Sequence, residues 1–312
     1  TAYLVVIWLS LRSNLMFNLG KRVIFSLLAL AIVVCSPLAI AQDSESESAL
    51  DDFIHYSLVA NVEFAEAYAV KLIRDGMTDE EFYLMVTETK ERYERFDRAI
   101  GWAMFVEDLE PLAARLESRF ETGRTNLIRN AARLNESIEL LNGTTRQRIL
   151  AEKRLKEAGE YAVPALLHTL QNSNDAHTAR TVREMLVTIK RDAVLPLSVA
   201  FPHLSTSSKI LIAKTLGDIG YQHAAPALIA RMQDGEESPA VRHAVAQALN
   251  RIGVDHESNL SLINAVVANQ FFDGHQSVIP QPVGGTNLFW KWDTQEQLVP
   301  LDVPEEVFAE VM

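Results

Sequence analysis

The residues with the clearest capacity for chemistry are five hard or borderline metal ligands in two short clusters: Asp255, His256 and Glu257 in VDHES, and Asp273 and His275 in DGH. Such side chains hold a divalent ion when several converge on one point. Here the clusters flank a single helical stretch, about 18 residues apart, and a helix would separate them by roughly 27 Å. The same residues serve more economically as helix punctuation, with Asp255 or Ser258 as N-cap and Asp273-Gly274 as a stop.

Other catalytic patterns are missing from the sequence. Gly284-Gly285 follows Pro282 and not a strand-to-helix turn, so it is no phosphate loop, and neither a nucleophile elbow nor an H-E-x-x-H pair occurs. His168, His177, His203, His223 and His243 are scattered, with no acid or serine at recurring spacing. The single cysteine, Cys35, lies in an apolar N-terminal stretch, which leaves the rest of the chain without thiol or disulfide chemistry. The expectation is a protein that is not an enzyme, with no metal and no cofactor.

Two sets of residues point to binding. Arg148, Lys209 and Arg242 each stand seven residues before a leucine (Leu155, Leu216, Leu249), and Arg180 holds the corresponding place with one residue of slippage. These cations suit either a ladder of ion pairs between neighbouring helices or a basic stripe that takes an acidic segment of a partner. Trp290 and Trp292, on one face of a short alternating stretch, suit either a binding platform or a lid over an open helical end. The partner class that these residues imply is a protein or peptide.

The elements that must position these groups are helical and repeat. Val163-Pro164, Leu195-Pro196 and Ala225-Pro226 are spaced by 32 and 30 residues, and each opens an apolar run. Proline fits the start of a helix, where its missing N–H has no helical partner. Each run leads through a polar turn to a second amphipathic helix. Their closing leucines, with Leu155 before them, fall at Leu186, Leu216 and Leu249, in steps of 31, 30 and 33. A period near 30 residues marks stacked helical hairpins.

The unit APALIARMQDGEESPAVRHAVAQALNRIG (225–253) resembles the HEAT-repeat family, in particular the short bacterial repeats of the phycobilisome-lyase type. The resemblance covers about residues 144–253; the middle unit, with a shortened turn and Pro202, is a degenerate copy. It implies an architecture and says little about function, because such arrays serve many roles. Some relatives act on bilins, but this sequence has no chromophore motif.

The fold class expected is all-α: an α-solenoid of HEAT-like hairpins (143–253), a helical N-terminal region (48–142) and a C-terminal cap (254–312) with a helix, a Gly/Pro loop and a small β-hairpin in TNLFWKW…LVPL. The N-terminal region begins with one long amphipathic helix ending near Gly76. Residues 42–47 read as a disordered acidic leader. Residues 1–41 contain no acid and carry an apolar run after Lys21-Arg22 that ends in Ala39-Ile40-Ala41, the pattern of a signal peptide with an upstream extension. An uncleaved inner-membrane anchor is the alternative and the only membrane contact expected. Without residues 1–41 the net charge moves from −12 to −15, which argues against nucleic acid and anionic membranes as partners. The expected role is an exported scaffold in the bacterial envelope, periplasmic or secreted. VPEEVFAEVM repeats the proline helix start, which predicts a longer natural chain; the alternative role is a docking arm of an enzyme whose catalytic domain lies beyond residue 312.

Overall fold

The computed structural model describes residues 45–279, 286–295 and 297–304. The signal-like segment 1–41, leader residues 42–44, the Gly/Pro stretch 280–285 and residues 305–312 lie outside the described residues, while Val303-Pro304, expected to open a helix, instead closes a strand. The chain divides into two compact units at Phe120/Glu121, and the fold is helical almost throughout.

The first unit contains α1 (45–58), α2 (Val62–Arg74), α3 (Asp79–Val86), α4 (Lys90–Ala103) and the start of α5 (Glu110–Arg129). Its interior is built from Phe53, Leu72, Phe82, Phe96 and Leu116. Phe120 meets Phe96 at 5.6 Å and Tyr83 at 5.0 Å between ring centres. The capping box at Thr78 and Glu81 starts α3 as its spacing predicts, with each residue's side chain accepting from the other's backbone amide. Arg119 ties the unit together by donating to Asp79 and to the carbonyls of Leu72 and Met77.

Two expectations fail in this unit. Residues 45–47, assigned to a disordered leader, are helical. The single long helix to Gly76 is two helices: Ala60 turns to φ 60°, and the Asn61 side chain accepts from Phe64 N to restart the chain as α2. The apolar spacing continues across the break, which is why periodicity alone does not reveal it.

The second unit is a stack of helical hairpins. Its first-layer helices are α6 (Ala131–Leu140), α8 (Val163–Asn172), α10 (Val194–Ala200), α12 (Ala225–Gln233) and α14 (Leu260–Phe272). The second layer is α7 (Thr145–Ala158), α9 (Ala176–Ile189), α11 (Thr206–Ile219) and α13 (Pro239–Ile252). Each helix touches the next in its own layer, so α7 meets α9, α9 meets α11 and α11 meets α13. Between the layers lie Leu155, Leu166, Leu186, Leu197, Leu216, Leu228 and Leu249, all fully buried. Each contributes about 1.5–3 kcal/mol by leaving water.

Every second-layer helix ends on a residue with positive φ: Gly159 at 55°, Lys190 at 63°, Gly220 at 81° and Gly253 at 79°. After the first three of these a single 3-10 turn leads into the next first-layer helix, whose opening turn contains Pro164, Pro196 or Pro226. The prolines therefore mark starts, as the sequence implies. Pro202 ends α10 after seven residues and sits in a 3-10 turn at Phe201–His203, the local cause of the degenerate unit.

The boundary expected at 142/143 moves forward. α6 packs on α7 and α8 as the first-layer helix of an additional hairpin. It lacks the proline signal because Asn130 caps it instead, accepting from Arg133 N at 3.0 Å.

The two-stranded antiparallel sheet, β1 (Thr286–Trp292) and β2 (Leu298–Pro304), pairs Trp292 with Leu298 and Trp290 with Pro300. It does not lie over the end of the stack. β1 and β2 both rest on α10, and Arg129 grips Asp302 with both guanidinium nitrogens, at 2.7 and 3.1 Å. The C-terminal strands thus run back to the first hairpins.

Candidate functional site

The four recurring cations all stand on second-layer helices, yet they divide into two spent and two open. Lys209 donates to Glu237 at 2.7 Å, where both side chains are nearly buried. Burial opposes ionisation of Glu237, but the Lys209 ammonium and the Ser238 amide outweigh it and hold its carboxyl below the usual carboxylate range. Arg242 donates to the carbonyl of Asp234 at 3.2 Å, in the turn of its own hairpin. Neither is free to receive a partner, so no continuous basic stripe exists. A second tie between hairpins runs through other residues: Asp218 on α11 accepts from Arg183 on α9 and from Arg251 on α13.

Arg148 and Arg180 are different. Their side chains are 53% and 66% exposed, and their acids, Glu152 and Glu184, lie one turn on at 3.9 Å. An arginine placed before its acid is the weaker orientation for such pairs, and exposed pairs of this length contribute little. Both arginines line one groove of about 410 Å³ between α7 and α9. Its floor includes Leu141 and Met185, which are buried, and Ile149, which is 61% exposed although apolar. His177 stands beside Arg180, its Nδ1 3.3 Å from a guanidinium nitrogen that donates to it. Asn142 donates to Thr178 Oγ1 at 2.9 Å, which sets the starts of α7 and α9 side by side.

Ile149, Glu152, His177 and Glu184 share no repeat spacing of their own that would mark them as a set in the sequence. Their places follow from Arg148 and Arg180: Glu152 and Glu184 stand four residues on, His177 three residues before Arg180, and Ile149 next to Arg148.

Trp290 is no platform. It is 3% exposed, and its indole N–H donates to Glu160 Oε2 at 2.7 Å. Trp292 is half-buried and stacks on His203 with ring centres 5.0 Å apart. With Pro164, Leu167, His168 and Leu298 it lines a cleft of about 230 Å³ between α8 and the hairpin. The two tryptophans seal the strands onto the stack.

Two buried groups are perturbed, Glu160 beneath the hairpin and His223 beside Phe271 of α14. Burial pushes the Glu160 carboxyl up to about 8, with the neighbouring Asp192 charge adding to the effect, against the Trp290 hydrogen bond and Arg191. Burial, helped by Arg191, pulls the His223 imidazole down to about 4. His223 Nε2 is buried without a hydrogen-bond partner, and its ring meets Phe271 edge-on.

Among the residues considered as metal ligands, His256 Nδ1 lies 3.5 Å from Asp255 of its own turn. Among the described residues no group of three or more His, Cys, Asp or Glu side chains is placed to hold a metal, and no helix is long and apolar enough to cross a membrane.

Stacked hairpins with an inter-helix groove define an α-solenoid. Residues 197–268 match the family model described as HEAT repeats, which supports the HEAT-repeat family for this segment. Comparisons with curated proteins and with solved structures found no match.

Proposed function

We propose that this chain is a non-enzymatic, exported scaffold of the bacterial envelope that binds a protein partner in the groove between α7 and α9. The observation that carries the reading is the pair Arg148 and Arg180, exposed on the rim of an apolar-floored groove with only weak partners of their own. HEAT repeats commonly mediate protein–protein interaction, and stacked hairpins present long surfaces from short modules. The signal-like pattern of residues 1–41 supports export, and N-terminal sequencing of mature protein that found residue 16 or earlier would refute cleavage. The likeness to phycobilisome-lyase-type repeats is one of repeat form, and the proposed function includes no action on bilins.

The binding test is affinity capture from envelope extracts by the full chain. Arg148→Glu with Arg180→Glu is expected to lose the captured partner. Lys214→Glu, an exposed cation on α11 away from the groove, is expected to retain it. Equal capture by both variants refutes the groove as the binding site.

A second reading, a docking arm of a larger enzyme, draws on α14. This helix, the last among the described residues, has no charged residue and leaves Leu262 64%, Val266 46% and Phe272 74% exposed. A stop codon shortly after residue 312 in the reading frame overturns it.

A further inference from the structure

We infer that the α7–α9 groove selects a charge-segregated amphipathic helix: a partner segment of about three turns with carboxylates at one end, an apolar ridge between, and cations at the other. This rests on the proposed binding role and names the partner that fits it.

The groove is polar along its length. At the end where α7 and α9 begin stand Arg148, His177 and Arg180, together with the positive ends of two helix dipoles brought together by the Asn142–Thr178 bond. One turn further stand Glu152 and Glu184. A uniformly acidic segment would satisfy the first half and be repelled by the second, which is why an acidic partner of the simple kind does not fit. Ile149, exposed between the two halves over buried Leu141 and Met185, supplies the apolar contact.

The length argues for a helix. From His177 to Thr188 the lining of α9 rises roughly 16 Å, which equals about three helical turns. Residues at three- and four-residue spacing on two neighbouring helices form the groove into which a third helix sets a ridge. The dipoles favour the orientation in which the partner's C-terminal end lies over Arg148 and Arg180.

The test uses the full chain and three fluorescent, hydrocarbon-stapled 14-residue peptides with one apolar face, read by anisotropy. The first has Lys at its N-terminal end and Glu at its C-terminal end. The second has the same composition with the charges alternating, and the third has Glu throughout. The first is expected to bind roughly tenfold more tightly than the second. Arg148→Glu with Arg180→Glu should abolish that preference, and Glu152→Gln with Glu184→Gln should move it to the third peptide. All four side chains are about half exposed or more, so unchanged thermal melting checks that the variants fold. Equal affinity for the first two peptides, or a preference untouched by the arginine variant, overturns the inference. If that happens while the arginine variant still loses its partner from extracts, only the partner class falls; if capture is also unchanged, the binding site falls with it.

Discussion

The indole of Trp290 donates a 2.7 Å hydrogen bond to the buried carboxyl of Glu160, 130 residues earlier in the chain. That contact joins the last described strands to the turn between α7 and α8, and it does so through a group whose protonation matters. Glu160 has an ordinary value near 4.5 when unfolded and about 8 when buried. A raised value means that the folded state holds the proton more tightly. Its stabilising contribution is complete below 4.5 and is lost as pH rises through 8, at about 1.4 kcal/mol per pH unit in between. Chemical denaturation from pH 5 to 9 should therefore show falling stability in the second unit, and Glu160→Gln should flatten that fall while keeping Trp290 fluorescence native-like. A slope unchanged in the variant contradicts this account.

His223 acts in the opposite direction. Its value drops from 6.5 to about 4 on folding, so its contribution is present above 6.5 and lost as pH falls through 4. His223→Leu removes the buried ring nitrogen that has no partner. The variant is expected to lose less stability than the parent between pH 6.5 and 4 in urea titrations.

Lys190 occupies a helix-ending position with φ 63° where the neighbouring hairpins use glycine. A side chain there costs roughly 1 kcal/mol, and Lys190 is exposed, so little contact is forfeited by removing it. Lys190→Gly should raise the free energy of unfolding by about that amount, read from urea titrations.

Two glycines inside helices should respond oppositely to alanine. A Cβ at Gly101 in α4 meets nothing within 4 Å, so Gly101→Ala should stabilise by about 0.5–1 kcal/mol through helix propensity. A Cβ at Gly217 in α11 would lie 2.8 Å from the Ala248 backbone of α13. Gly217→Ala should destabilise by about 1–3 kcal/mol, because two helix backbones must separate. Thermal melts of the pair check both signs.

The stack was legible because its signals are local. Pro164, Pro196 and Pro226 sit in first turns, and the leucines near 30-residue spacing face one core. α6 escaped notice because Asn130 does what a proline does elsewhere. Arg148 and Arg180 were readable as a repeating charge, but the spending of Lys209 on Glu237 depends on a turn 28 residues away, and no periodicity reports that. The return of the strands was the least legible feature, since Trp290 meets Glu160 and Asp302 meets Arg129 across 130 and 173 residues.

That return has a consequence for synthesis. A ribosome completes α7 and α8 long before it makes Trp290, so the indole that covers the Glu160 carboxyl arrives only after the helices around it exist. Docking of the strands then favours the protonated carboxyl, so closing the Trp290–Glu160 seam is expected to take up acid from solution near neutral pH.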